Sequence, residues 1–204
     1  MHAFTFRQGA APWPDGQPVL HVYALGDVAR SPALAALMTS CRRATATEPL
    51  AHIGDDWLHV TLCQVTVPSR AVGAAQRAAL AAAIGRAVAA VTPFTITVTE
   101  PVRVRVGVIC GLADGPLEQV RELVSEAARS VLGPTAVGGD SGGLHMSESY
   151  AYGDADDARV DAKLRTVRPR HASVPVDAVH LVDVSADQAT KAISWVTLDR
   201  IPLG

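Results

Sequence analysis

Hydrophobic positions recur along this chain with two periods, and the switches between them mark out its elements. Val19–Leu25 alternates: Leu20, Val22 and Ala24 share one face, His21 and Tyr23 the other, as a strand requires. Helical spacing follows over 32–45, where Ser31 suits an N-cap, Pro32 the first turn, and Leu34, Leu37 and Met38 form an apolar stripe. A turn region at 46–56 leads to Trp57-Leu58-His59-Val60-Thr61-Leu62, the start of a strand over 57–67. Its alternation sends Leu58, Val60 and Leu62 to a core and puts His59 and Thr61 together on the opposite face. An alanine-rich helix is expected over 68–91, followed by strands over 94–98 and 102–108. Pro116 starts another helix, with Leu117, Val120, Val124, Ala127 and Val131 at helical spacing. A glycine-rich connection, 133–143, then enters a strand over 144–152 that begins Leu144-His145-Met146-Ser147. A short helix over 154–167, stopped by Arg168-Pro169-Arg170, and strands over 174–184 and 192–201 complete the chain, while the Pro- and Gly-rich stretch 8–18 reads as a loop.

The same series occurs twice: strand, Pro-started helix, His-x-Ser/Thr strand, helix, strand. Pro116 lies 84 residues after Pro32, Arg103 lies 84 after Val19, and His145 lies 86 after His59. Two copies are too few for a solenoid. The fold class expected is α+β and bilobal: two pseudo-symmetric antiparallel sheets flanked by helices around a central cleft. The repeat halves are roughly 19–99 and 102–184 within a single domain spanning 1–204, and facing lobes would bring the two histidines together.

Composition narrows the function. The chain has 204 residues, 49% hydrophobic and 19% charged, which fits a packed protein rather than a disordered one. A net charge of −2 gives no basic field for long nucleic acid, though a nucleotide or a short RNA end remains open. Cys41, Cys63 and Cys110 are too sparse and unpaired in spacing for a disulfide framework or a zinc module. The start, Met1 to Arg7, has no signal-peptide core, and Gln76, Arg77, Gly85 and Arg86 interrupt the alanine-rich run, so a cytoplasmic monomer without a membrane partner is expected.

The bare His-x-Ser/Thr pattern is weak: 7 histidines and 25 Ser plus Thr give about one match by chance. A third match, His171-Ala172-Ser173, lies outside the repeat and reads as a loop. Strand alternation and equivalent places in the repeat single out the other two. No Asp or Glu shares the histidine faces, so a metal site built on His59, His145 and His21 is disfavoured. His52, His171 and His180 read as surface or core residues, Cys63 as a small buried one, and Tyr150 as core.

These residues resemble the 2H phosphoesterase superfamily, the LigT-like or 2′-5′ RNA ligase family, whose signature is two His-x-Ser/Thr-apolar motifs. His59-Val60-Thr61-Leu62 fits in full; His145-Met146-Ser147-Glu148 departs at Glu148. Trp57-Leu58, Tyr150 and the ending Trp195…Arg200-Ile201-Pro202-Leu203-Gly204 look like actinobacterial members. The resemblance implies a bilobal fold with no cofactor and hydrolysis of 2′,3′-cyclic phosphates or 2′-5′ linkages at nucleotides or RNA ends, with reversible ligation in some members. It implies His59 and His145 as general acid and base in either order, and Thr61 and Ser147 as phosphate-oxygen ligands. Tyr23 and Arg105, on flanking strands, are further candidates for base stacking and phosphate charge. Glu148 falls on the core side by alternation, where an unpaired carboxylate is costly, so a bulge, a nearby Arg or a wet edge is expected there. It also keeps open a nucleotide-binding module that does not turn over.

Overall fold

The computed structural model describes residues 1–138 and 143–204; residues 139–142 of the glycine-rich connection lie outside the described part. In chain order the elements are β1 Arg7–Gln8 and β2 Ala11–Pro12, paired as a small hairpin; β3 Val19–Leu25; α1 Pro32–Thr45; β4 Leu50–His52; β5 His59–Gln64; α2 Ala74–Val88; β6 Phe94–Val104; β7 Gly107–Ala113; α3 Leu117–Leu132; β8 His145–Ala151; α4 Asp157–Leu164; β9 Ala172–Val176; β10 Ala178–Asp187; and β11 Ala192–Pro202. Ser31 caps α1 as expected, its hydroxyl accepting from the Leu34 amide at 3.3 Å.

The large sheet is antiparallel in order β11-β10-β3-β5-β8-β7-β6-β9, with β4 added beside β8. It is pinched in the middle. β10 and β3 share five residue pairs, but β5 and β8 meet through one, Val60 with Met146. The sheet is thus two half-sheets of matching plan, β10-β3-β5 and β6-β7-β8, hinged at one pair. The halves exchange strands: β6, late in the first repeat, lies in the second half-sheet, and β10 lies in the first.

Strand alternation sorts the two faces. Leu20, Val22 and Ala24 of β3 join the main core, packed with Leu34, Leu37 and Met38 of α1 and residues of α2, α3 and α4. Val19 and Tyr23 point the other way, into a smaller cluster with Phe6, Trp13, Val182, Val184 and Ile193, to which no α-helix contributes among the described residues. One face of the sheet is covered by helices; the other carries this cluster and a cleft.

Several boundaries differ from the sequence expectation. The alternating stretch 102–108 is not one strand: β6 runs on to Val104, Arg105 and Val106 form a turn, and Gly107 opens β7. The counterpart of β3 is therefore β7, not 102–108. A side chain at Gly107 would stand 2.2 Å from the Ser149 carbonyl oxygen, so only glycine lets β7 close on β8 there. The stretch 174–184 is broken at Asp177, whose carboxylate takes Arg30 at 2.8 Å and Arg200 at 3.0 Å. Ala172 and Ser173, read as loop, pair with β6 as part of β9. Residues 50–52, read as turn, form β4, and the helix expected from 68 begins at Ala74 after a single 3-10 turn, Ser69–Ala71.

Candidate functional site

The hinge pair fixes the geometry of both motifs. His59 precedes Val60 and His145 precedes Met146, so both histidines flank the one point where the half-sheets touch. Counting outward in antiparallel register sets His59 across from Ser147 and Thr61 across from His145. The histidines are then diagonal neighbours across the hinge, and the charge of His145 is felt at His59. All four residues line one cleft of about 1190 Å³.

Each imidazole is held the same way. His59 Nδ1 lies 2.8 Å from the Trp57 carbonyl oxygen, and His145 Nδ1 lies 2.9 Å from that of Gly143. A carbonyl only accepts, so Nδ1 carries the proton and Nε2 is turned outward from the strand. His21 repeats the device, 2.9 Å from the Val19 carbonyl. The surroundings differ. His59 is 5% exposed, stacked on Tyr23 at 4.1 Å between ring centres and met edge-on by Trp195 at 5.2 Å. Burial pushes its imidazole down to about 4, the Trp57 carbonyl opposing and the charge of His145 reinforcing the shift. Burial likewise lowers His21 to about 4. His145 is only half-buried.

The fourth position of each motif falls on a β-bulge. Across β3, Cys63 pairs with Val22 and Thr61 with Tyr23, leaving Leu62 extra; across β7, Ser149 pairs with Val108 and Ser147 with Ile109, leaving Glu148 extra. Glu148 is fully buried, so the wet-edge alternative does not apply, and its partner is not an Arg. His52 on β4, read as having no role, places Nδ1 2.9 Å from Glu148 Oε1. Cys41 of α1 and Cys110 of β7 lie against the same carboxylate: burial pushes the Cys110 thiol up to about 12, and the charge of Glu148 adds to it. The carboxylate thus belongs to the helix-covered side and not to the cleft. Past the bulge Tyr150 turns to the cleft rather than the core, where Phe4 stacks on it at 4.4 Å.

The secondary candidates fare unequally. Tyr23 lines the cleft but is 1% exposed with one face on His59, so that face is closed to a base. Burial pushes its hydroxyl well up, the charge of Tyr150 adding and Thr61 opposing. Arg105 is exposed in the β6–β7 turn, its carbonyl accepting from the His2 amide, and does not line the cleft. Arg103 is spent on Asp157 at 3.1 Å and Asp161 at 3.0 Å. Other walls are supplied by residues that local pattern does not single out: Phe4 and Arg7, Gln64, and Arg121, Ser125 and Arg129 on α3. Among the described residues, no three His, Cys, Asp or Glu side chains converge as metal ligands, and no helix is long and apolar enough to cross a membrane.

Residues 31–188 match the profile of the family described as the 2'-5' RNA ligase superfamily. No curated protein matches in sequence. Among solved structures, TT0787 of Thermus thermophilus is 17% identical with a TM-score of 0.67, covering 91% of this chain and 97% of that one. E. coli LigT in complex with 3'-AMP is 20% identical with a TM-score of 0.64, covering 92% of this chain and 98% of that one. At these identities the likeness establishes the fold, a mixed α/β protein with a large antiparallel sheet of the LigT type.

Proposed function

Since the chain belongs to the 2'-5' RNA ligase superfamily, we propose that it is a metal-independent phosphodiesterase acting on 2′,3′-cyclic phosphates or 2′-5′ linkages of nucleotides and RNA ends. The observation that carries this reading is the matched pair of imidazoles. Both are locked with Nδ1 on a backbone carbonyl, which leaves Nε2 as the nitrogen for substrate, and both line one cleft at diagonal places around the hinge. Such a pair straddles a phosphodiester and handles protons on both sides of phosphorus without a metal.

His59, dehydrated and neutral, is the base for hydrolysis. Its Nε2 takes a proton from water as the water oxygen bonds to phosphorus. His145, open to solvent, is the acid: its Nε2 gives a proton to the 2′ or 3′ oxygen as the P–O bond breaks. A phosphomonoester and a free hydroxyl result, and solvent resets the two protons. When a 5′-hydroxyl attacks the cyclic phosphate in place of water, the two histidines keep these roles, the 3′ oxygen leaves and a 2′-5′ linkage forms; cleaving that linkage back to the cyclic phosphate reverses them. Thr61 and Ser147 donate to the non-bridging oxygens, holding phosphorus in line and stabilising its added charge. The E. coli LigT complex with 3'-AMP supports a nucleotide phosphate as ligand for this fold. Glu148 does not favour the non-catalytic alternative, because its carboxylate is paired on the helix-covered side.

The test is hydrolysis of a 2′,3′-cyclic mononucleotide in EDTA. Turnover to a single phosphomonoester isomer is expected; tight binding of the nucleotide without turnover would instead make this a binding module.

A further inference from the structure

The N-terminal segment runs across the open face of the sheet, bound to both halves. On the second half, the Phe4 amide donates to the Ala151 carbonyl at 2.7 Å. Two residues on, the segment has reached the first half: the Phe6 amide donates to Gln188 Oε1 at 3.1 Å, and Gln188 Nε2 returns a bond to the Phe6 carbonyl at 2.8 Å. Gln64, at the end of β5, holds the next turn, donating to the Arg7 carbonyl at 2.9 Å and accepting from the Gly9 amide at 2.6 Å.

Side chains fill the space beneath. Phe6 and Trp13, 4% and 8% exposed, are the covering half of the aromatic cluster on the open face. Phe4 and Phe6 both pack on Tyr150, at 4.4 and 5.1 Å. Tyr150 follows Ser147 on the same strand, and with the bulge at Glu148 between them the two pair with Gly107 and Ile109, about 7 Å apart along β7; the Tyr150 hydroxyl is hydrogen-bonded to Ser147. The cleft is therefore walled directly beside Ser147 on the Tyr150 side. Its opposite side, toward α3 and Gly138, has no such strap among the described residues.

We propose that this strap makes the site selective for terminal phosphodiesters: the Phe4–Tyr150 wall stands against the phosphate position and leaves no room for a nucleoside or an RNA chain on that side. The inference rests on the phosphodiesterase reading and deepens it. A 2′,3′-cyclic phosphate, on a mononucleotide or at the end of an oligomer, has a nucleoside on one side of phosphorus only. An internal 2′-5′ linkage has a chain on both sides and is refused.

The experiment compares three substrates: a 2′,3′-cyclic mononucleotide, an oligoribonucleotide ending in a 2′,3′-cyclic phosphate, and an oligomer with one internal 2′-5′ linkage. The protein should process the first two within about 10-fold of each other and the third at least 100-fold more slowly. Gln188→Ala removes the clasp on Phe6 without touching the cleft. It should speed amide exchange at Phe4 and Phe6 and raise internal cleavage at least 10-fold, with the mononucleotide rate unchanged within about 3-fold. A deletion of residues 2–12, shown by circular dichroism to keep its sheet, should raise the ratio of internal to terminal cleavage further. Equal rates on internal and terminal linkages in the intact protein would overturn the proposal, as would a released strap with unchanged selectivity. Failure to hydrolyse any of the three would overturn the phosphodiesterase reading instead.

Discussion

On β5, His59 lies under Tyr23 and Trp195 and the fourth motif position is Leu62; on β8, His145 is half-exposed and the fourth position is Glu148, closed off with His52 on the far side of the sheet. Backbone and environment separate cleanly between these two strands. The backbone plan is shared: an imidazole pinned to the carbonyl two residues earlier, a hydroxyl residue two positions on, then a bulge. The surroundings are not shared. One strand dehydrates its histidine and the other leaves it wet. A strand pair with common geometry and unlike solvation is what acid–base work on one phosphate needs, because two identical imidazoles would compete for the same proton.

Equality of the strands in catalysis is tested by removing each histidine. His59→Ala and His145→Ala should each lower kcat on a 2′,3′-cyclic nucleotide in EDTA by about 10³-fold, with KM changed far less. A variant that keeps near-native turnover with the fold intact would mean that only one strand does chemistry.

The difference at the fourth position is tested through stability in urea. His52→Ala leaves a buried carboxylate without its partner and should cost about 3–5 kcal/mol. Glu148→Leu, which copies the first strand, should change stability by about 1 kcal/mol or less and turnover by under about 3-fold. A large loss of turnover in Glu148→Leu, with stability kept, would tie the carboxylate to the cleft after all.

The solvation difference is tested by pH. His59 must be neutral to act as base, and burial holds it at about 4, so kcat/KM should fall as pH drops through about 4 rather than through the ordinary histidine value near 6.5. Trp195→Ala admits water beside the ring, and the acidic limb should move up toward 6.5. An unmoved limb would mean that the dehydration of His59 does not set its proton affinity. Folding carries the same sign. His21 and His59 are lowered to about 4 in the folded chain and sit near 6.5 when unfolded, so their stabilisation is complete above about 6.5 and is lost as pH falls through 4.

Much of this is legible in the chain itself. The alternation in Val19–Leu25 and Leu58–Leu62 encodes which side chains meet helices and which meet the cleft, and the repeat pairs His59 with His145. Other features leave no local trace. The turn at Arg105-Val106 interrupts an alternating run whose first turn-forming residue, Gly107, already belongs to the next strand. A bulge changes the face of every later residue without changing composition, which is why Tyr150 reads as core and lies in the cleft. The partner of Glu148 comes from β4, 96 positions away, and such a pairing is visible only when the strands are laid side by side. The Phe4-Thr5-Phe6 stretch is too short to announce a strand, and its packing depends on a sheet formed from residues far along the chain.

The most direct measurement is a crystal structure of the protein with inorganic phosphate or a 2′-nucleotide product in the cleft. Phosphorus should sit between the two motif strands, with oxygens within about 3.2 Å of His59 Nε2, His145 Nε2 and the hydroxyls of Thr61 and Ser147. A phosphate seated elsewhere in the cleft, or reached by one imidazole alone, would contradict the two-histidine account.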